Sequence, residues 1–464
     1  MNLLREMGGV RSIGYAQPDI TFGLYCSDFP FPAPEDGSVY GKRFILLLCV
    51  IGWFCPAPGR AQSVLTGPDT HELPDTAKGH LFGDWGGERS KLLEDGVTFD
   101  FHSISDNLSN IESQQSERFT SYNRTRGTID IDLGKLIHAP GYSFHITAAW
   151  QTGANLGSYL GLLANPTSLA SGNVFRLDSW WFQKQWLKKR VSLRAGQFAG
   201  DDTYGNQEFG NSFIFEPLGG PTENLSNTFE TFDPPSTPAL EIHVVPVPHV
   251  YIKSVVLSVD RMPFSNNQTG LVPQFHGPPV SVSEIAFTPG RDATALGQPD
   301  NTASRKGYTG VYRIGASYNP ARFNLPFSTV PRSGNYLIYA IAGQSIWRAD
   351  RSADKGLDAT LSYDWSPPAI NLGYTELTAG LRYNQPLPVP FHNTISVGYV
   401  QSGQSSNFLA AKAPAWKIEH GVEFNTLLSV LPMLQLQPLV QYYANVGGGN
   451  HRAVVLGFRA RIEY

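Results

Sequence analysis

Histidine is the residue type in this chain whose chemistry first suggests a reaction centre. His145 lies two residues after Ser143, and His102 lies in another polar stretch. A hydrolase needs a nucleophile and a histidine that a third polar group orients. Because no residue near either histidine marks such a nucleophile, the sequence predicts that the chain is not an enzyme. The Gly-Gly at Gly86 and the glycine run that begins at Gly447 lack the Lys-Ser/Thr end of a phosphate-binding loop.

Cysteine and net charge exclude further classes of protein. Cys26, Cys49 and Cys55 are the three cysteines, and all precede Pro56. This distribution argues against a disulfide scaffold, a thiol enzyme and a cysteine-ligated metal, so we expect no cofactor and no metal. The net charge of −4 does not suit a protein that binds nucleic acid.

Charged side chains recur two residues apart in several segments, with apolar side chains between them. Asp130 and Asp132 alternate with isoleucines, and Arg459 and Arg461 alternate with apolar residues up to the C-terminal Tyr464. Such alternation is typical of β-strands that have one polar and one apolar face. The same pattern occupies residues 143–151, 191–198, 377–384 and 434–442.

These strands suit a membrane barrel better than a sandwich, although half-buried sandwich strands also alternate. Their polar faces carry Asp, Arg, Gln and Glu, while their apolar faces often end in aromatic residues. Charged residues make up only 16% of the chain, which also contains 46 glycines and 12% aromatic residues. We therefore predict an all-β fold, a transmembrane antiparallel β-barrel of about 16 strands with a short N-terminal helix.

An export signal precedes this region. Residues 41–61 begin with Lys42 and Arg43, continue with an apolar run and end in small residues at Ala61. The apolar run is too short for a membrane anchor, the alternative interpretation, so we predict a signal peptide and a mature N-terminus at Gln62. Cleavage after residue 61 of 464 leaves 403 residues. Residues 1–40 are either a misassigned start, with translation beginning near Val39, or a cytoplasmic extension.

The mature chain divides into a lead-in and a barrel. Residues 62–96 are predicted as a polar lead-in followed by a helix over 84–95, capped by Asp84 and ended by Gly96. Residues 97–464 are predicted as the barrel. The Pro- and Gly-rich stretches 216–238 and 263–299 are predicted as loops, some of which fold into the lumen. No stretch is apolar for the length of a transmembrane helix.

Several motifs resemble the carbohydrate-selective porins of the OprB family. Residues 81–100 read LFGDWGGERSKLLEDGVTFD, which is similar to the opening of the mature chains of that family. The C-terminal segment 436–464, which ends in VVLGFRARIEY, is close to the C-terminal signature of the family. Shorter matches lie between these two, at 175–182 (FRLDSWWF), 191–198 (VSLRAGQF), 207–213 (QEFGNSF) and 311–318 (VYRIGASY).

The resemblance implies a 16-stranded barrel through which sugars diffuse passively across the outer membrane of a Gram-negative bacterium. Arginine suits such a pore because its fork can donate to two vicinal hydroxyls, and aromatic rings can support a pyranose. Of the adjacent Trp180 and Trp181, we expect Trp180 to face inward. It follows Arg176 and Asp178 at intervals of two residues, which places the three side chains on one face of a regular strand. The predicted channel residues are Asp130, Asp132, Arg176, Asp178, Trp180, Arg194, Arg382, Arg459 and Arg461.

Alternatives remain open at this point. An inward Arg or Asp could instead belong to a structural ion-pair ladder on the barrel wall. The whole chain could instead be a secreted or periplasmic all-β carbohydrate-binding protein without a channel. The porin interpretation implies mono- or oligosaccharides, outer-membrane lipid and the barrel-assembly machinery as partners, with Tyr464 as the assembly signal, and leaves a homo-oligomer open.

Overall fold

The structure is a computed structural model in which part of the chain is described. The described residues are 79–169, 173–200, 203–219, 223–228, 236–259, 266–291, 293–294, 308–324, 330–350, 355–405 and 417–464. The predicted segment 1–40, the predicted signal peptide 41–61 and the predicted mature N-terminus Gln62 lie outside these residues.

Sixteen antiparallel strands close into one barrel. Each strand pairs with its neighbours along the chain, and the last strand pairs with the first. The strand number and the closed architecture predicted from the alternating segments are therefore confirmed. The strands are β1 Val97–Glu112, β2 Arg118–Asp132, β3 Tyr142–Thr152, β4 Val174–Trp186, β5 Val191–Phe198, β6 Thr237–Val247, β7 Val250–Val259, β8 His276–Phe287, β9 Gly310–Asn324, β10 Pro331–Arg348, β11 Gly356–Trp365, β12 Gly373–Asn384, β13 Asn393–Gln404, β14 Ile418–Leu431, β15 Leu434–Ala444 and β16 Arg452–Glu463.

The helices are short and lie before β1 or in the connections between strands. The predicted N-terminal helix is present as α1, Glu88–Glu94, and begins later than expected because Gly86 and Gly87 both have positive φ. Asp84 still stabilises the helix, since it accepts hydrogen bonds from the backbone N–H and the hydroxyl of Ser90 at 2.8 Å. The other helices are α2 Leu133–Leu136, α3 Leu156–Leu160 and α4 Glu216–Gly219. No helix among the described residues is long and apolar enough to cross a membrane.

Side chains alternate between the lumen and the outer surface of the barrel. In β1, Asp100, His102 and Asp106 point inward and are buried, whereas Phe101 between them is exposed on the outside. A belt of large apolar side chains covers the outside of the barrel, as hydrocarbon requires. It includes Trp150, Phe175, Phe182, Ile314, Leu361, Phe424 and Phe458.

Two predicted loops contain strand residues. The stretch 263–299, predicted to be too broken for a strand, contains β8, which pairs with β7 and β9. Its two prolines, Pro278 and Pro279, precede the regular ladder, which runs from Val280 to Phe287 against β7. Proline is tolerated at the start of a strand, so the prediction was wrong to exclude one here. The stretch 216–238 likewise ends in β6, which begins at Thr237.

The barrel has two distinct ends. Tyr464 and the helix α1 lie at one end, where the backbone N–H of Leu81 donates to the carbonyl of Glu463 at 2.8 Å. We name this the terminal end and the opposite end the loop end. Two long connections leave the loop end, residues 153–173 between β3 and β4 and residues 199–236 between β5 and β6, and their described residues fold back to contact the lumen wall.

Candidate functional site

Ion pairs line the seam between the last strand and the first. Arg459 donates from Nε and Nη2 to the two carboxylate oxygens of Asp106 at 2.6 and 2.7 Å. Arg461 donates from Nε to Glu463 at 2.6 Å. All four side chains point inward and are buried. The structure thus places both predicted arginines on the lumen wall, each in a charge-assisted pair.

A β-bulge in β4 reverses the predicted orientation of its two tryptophans. The register with β3 shifts between Thr147 and Ala148, so that Asp178 and the next residue, Ser179, are both buried. The extra residue changes the parity of the strand. Trp181 therefore points inward and stacks on His145, with ring centroids 4.8 Å apart. The prediction that Trp180 faces the lumen was wrong.

Inward arginines gather on β2, β4 and β5 around Trp181. Arg126 Nη2 lies 2.6 Å from Asp178 Oδ2, and Arg194 Nη2 lies 2.9 Å from Glu241 Oε2. The guanidinium of Arg194 also lies 5.4 Å from the centre of the Trp181 ring, within cation–π range. Arg176 is buried on the same wall. We name this set the arginine cluster: Arg126, Arg176, Asp178, Trp181 and Arg194.

The two aspartates predicted on β2 have different surroundings. Asp130 is inward and lies 2.6 Å from Nδ1 of His145. Asp132 is exposed at the end of the strand, where it accepts hydrogen bonds from the backbone of Gly134 and Lys135 at 2.8 and 3.2 Å. Asp132 therefore caps helix α2, and its prediction as a channel residue was wrong. The cause is that the strand ends at this residue.

Arg382 joins the barrel wall to the inward-folded connection. Its Nε lies 2.9 Å from Asp358, which also binds Arg348 at 2.5 Å. Its Nη1 donates to the hydroxyl of Ser212 at 3.1 Å, and its guanidinium lies 4.3 Å from the centre of the Phe209 ring. The structure therefore places Arg382 against residues 199–236, where it helps to fix their position.

Two glutamates of β14 hold the inward-folded connections by their backbones. Glu423 accepts hydrogen bonds from the N–H groups of Ile214 and Phe215 at 3.0 and 2.7 Å. Glu419 accepts from the N–H groups of Leu163 and Ala164 at 3.0 and 3.1 Å. Sequence reasoning did not identify these residues. Both connections are thus anchored to one strand by hydrogen bonds from their backbone to buried carboxyl groups.

Inward glycines on the strands from β10 to β14 make room for the connection 199–236. A Cβ added at Gly398 would lie 2.2 Å from Leu218, and one at Gly421 would lie 2.4 Å from the ring of Phe215. We name the set of inward glycines that contact residues 199–236 the glycine track. Its members are Gly343, Gly380, Gly398 and Gly421, on strands β10, β12, β13 and β14.

Glu216, at the start of α4, has a buried carboxyl group and lies where the two inward-folded connections meet. Its backbone N–H donates to the carbonyl of Asn165 at 3.2 Å. Burial raises the pKa of Glu216 to about 7, although Asn165 and Arg124 favour its charged form. The carboxyl is therefore partly protonated near neutral pH.

Comparison with known proteins assigns a family to this architecture. The family model described as carbohydrate-selective porin, OprB family, matches residues 116–464. Porin B of Pseudomonas aeruginosa is 21% identical over 430 residues, which cover 83% of this chain and 91% of that protein.

Two solved structures share the fold. The high-pH structure of Pseudomonas putida OprB has a TM-score of 0.76 at 16% identity and covers 85% of this chain and 100% of that chain. The low-pH structure of the same protein has a TM-score of 0.54 at 15% identity, with 83% and 98% covered. The interpretation as a binding protein without a channel is therefore set aside. The chain belongs to the OprB family of carbohydrate-selective porins.

Proposed function

We propose that the protein lets neutral mono- or oligosaccharides diffuse through its lumen across the outer membrane of a Gram-negative bacterium, and that the arginine cluster contacts them. The observation that supports this is the position of the Trp181 ring beside Arg194, with Arg126 of β2 paired across β3 to Asp178 of β4. No catalytic step is part of the proposal.

The chemistry of the cluster suits a sugar. Sugar hydroxyls that lose water need both donors and acceptors, and guanidinium and carboxylate groups supply them. The indole of Trp181 is buried against the guanidinium of Arg194 and holds that donor in position. Because Arg126 and Arg194 are each paired with a carboxylate, the local field is small, which favours a neutral solute over ions.

Planar-bilayer recordings test this proposal. The folded porin is inserted, and ion current is measured while a panel of mono- and disaccharides is added. We expect concentration-dependent block of the current by at least one sugar, with weaker block when Arg126 and Arg194 are both replaced by Gln. Current that no sugar blocks, or block that the double variant leaves unchanged, would contradict the proposed contacts. Membrane fractionation of the native host tests the location.

Outer-membrane lipid and the barrel-assembly machinery are the proposed partners of the folded chain. A homo-oligomer is also supported, by a polar patch on the outer surface of β1 and β2, where the other strands present apolar belt residues. Polar side chains are poorly suited to hydrocarbon. The patch consists of Ser103, Ser105, Asn107, Ser109, Ser121, Asn123 and Thr125.

A second copy of this chain would cover the patch. Part of it lines a groove of about 360 Å³ that reaches Trp150 and Ala460. Its side chains are uncharged and hold both donors and acceptors, as in the 2.7 Å contact between Ser103 and Thr125, so a like surface can pair with it.

Chemical cross-linking in membranes tests the oligomer. We expect Asn107→Leu with Asn123→Leu to reduce cross-linked species, whereas Ser254→Leu, an outward polar residue of β7 bonded to Ser283, serves as the matched control. A wild-type protein that remains monomeric would contradict the oligomer but not the sugar channel.

A further inference from the structure

Two buried Asp–His pairs lie on the first three strands, one within β1 and one between β2 and β3, and they differ in one respect. His145 lies 2.6 Å from Asp130 through Nδ1, and its Nε2 lies 2.9 Å from the hydroxyl of Thr147. His102 lies 2.7 Å from Asp100 through Nδ1. Its Nε2 is buried and has no hydrogen-bond partner among the residues that the structure describes. The second pair therefore leaves one ring nitrogen available.

A second carboxylate lies close to this Asp–His pair. Glu463 of β16 is the cross-strand partner of His102 in β1. Asp100, His102 and Glu463 each offer one ligand atom, and these three atoms lie within 4.8 Å of one another. The ion pair of Glu463 with Arg461 occupies its Oε1. All three side chains are buried at the terminal end of the lumen.

This arrangement has the chemistry of a metal site. A histidine that binds a metal through one nitrogen commonly donates its other N–H to a carboxylate, which fixes the tautomer and the ring orientation. Asp100 stands in that position relative to His102. Imidazole nitrogen together with carboxylate oxygen is a donor set that suits Zn²⁺ and related divalent transition metals.

We propose that His102 and Glu463, with Asp100 orienting the imidazole, bind a divalent transition-metal ion such as Zn²⁺ at the terminal end of the lumen. His80 is near enough for the charges of Asp100 and Glu463 to act on it, and it offers a further nitrogen donor. The positive charges of Arg461 and Arg89 act on the same group of residues and reduce its affinity for a metal cation.

The ion would bridge the first and last strands of the barrel. His102 and Glu463 belong to the ladder that closes the sheet, so a ligand that binds both stabilises the closed state by mass action. Zn²⁺ should therefore raise the temperature at which the folded band is lost on a detergent gel, and a chelator should reverse the shift.

Calorimetric titration of the chelator-treated, folded full barrel with Zn²⁺ alone tests the proposal. We expect one ion per chain in the wild type and at least tenfold weaker binding in His102→Gln and in Glu463→Gln. His145→Gln is the matched control and should bind as the wild type does. The mobility of unheated protein shows that each variant is folded.

Three outcomes would overturn the site. These are a wild type that takes up no Zn²⁺, equal affinity for Mg²⁺, and binding that Glu463→Gln and His102→Gln leave intact. If one of these two variants does not fold, the other still decides the question. Sugar-induced current block does not enter this test, so its result is independent of the channel proposal.

Discussion

Arg459 and Asp106 form a bidentate ion pair across the closure of the barrel, with contacts of 2.6 and 2.7 Å. The same aspartate accepts a hydrogen bond from the hydroxyl of Thr167, which belongs to the inward-folded connection 153–173. One carboxylate thus links the last strand, the first strand and a segment inside the lumen. This relationship means that Arg459 affects both the charge of the pore and its shape.

Replacing Arg459 and Arg461 with Ala should shift the pore toward cation preference. Two positive charges leave the lumen, while Asp106 and Glu463 remain. Loss of one partner of a buried ion pair costs about 3–5 kcal/mol, so the variant should also unfold more easily. Reversal potential in planar bilayers measures the selectivity. The double variant Arg459→Met with Asp106→Leu removes both charges of one pair and should recover stability. An unchanged reversal potential in the variant that lacks both arginines would show that they have only a structural role.

Replacing Trp181 with Ala should weaken sugar-induced block of the ion current several-fold. The inward indole is buried, stacks on His145 and lies against the guanidinium of Arg194, so its loss should displace Arg194 and change the hydrogen-bond donors that a sugar meets. Trp180→Ala is the matched control, because its side chain is the same size and lies on the other face of the strand. Equal block in both variants would contradict a role for Trp181 in positioning the sugar-binding residues.

Replacing Gly398 with Val should narrow the pore. The added Cβ would lie 2.2 Å from Leu218 and 2.9 Å from Phe213, so residues 199–236 must move away from the wall. The displaced residues then occupy more of the lumen, so single-channel conductance should fall and become noisier. Gly127 faces outward, where an added Cβ would be 3.4 Å from Phe101, so Gly127→Ala should leave conductance unchanged. Wild-type conductance in Gly398→Val would show that the wall accommodates the side chain.

Replacing Glu216 with Gln should remove one source of pH dependence in stability. Burial raises the pKa of Glu216 to about 7 in the folded protein, from the ordinary glutamate value of 4.5 that applies to the unfolded chain. The folded state therefore binds more protons, and its stability falls as pH rises from about 4.5 to 7, then levels off. Thermal unfolding at pH 5 and pH 8 should show a smaller difference in the Gln variant. An equal difference in both proteins would refute this role.

Removing Tyr464 should lower the amount of inserted barrel. The backbone N–H of Tyr464 donates to the carbonyl of Phe101 at 2.8 Å, and the Tyr464 ring packs on Phe101 and Phe82. Its carbonyl also accepts from Arg89 at 3.2 Å. Heat-modifiable protein in the outer-membrane fraction measures insertion. Tyr464→Phe keeps the ring and should insert normally, and wild-type levels of the truncated chain would argue against an assembly role.

The barrel could be predicted from the sequence because period-two alternation is a local signal. Segment 191–198 became β5 with the predicted bounds, and Arg459 and Arg461 point inward as their parity required. Counting every second residue assigns the wrong face where the backbone of a strand is irregular. The bulge at Asp178 exchanged the two tryptophans, and the end of β2 turned Asp132 from a wall residue into a helix cap.

The contents of the lumen could not be predicted, because they depend on contacts between distant segments. In the sequence, Glu423 resembles any other polar residue of a strand. Only the structure shows that it accepts hydrogen bonds from the N–H groups of Ile214 and Phe215. The glycine track had a partial signal, since Gly380, Gly398 and Gly421 interrupt otherwise bulky strands. Sequence alone gives no means of knowing that Phe213 and Leu218 fill those gaps.

The closure between β1 and β16 also sets the order of events in folding. Asp106 and Arg459, which meet across it, are 353 positions apart in the chain. One edge of β1 therefore has no partner until β16 has been made. An open edge of this kind invites pairing with the wrong chain, and contacts of such long range form slowly. The unpaired edge of β1 is therefore the place where we expect unfinished chains to associate wrongly.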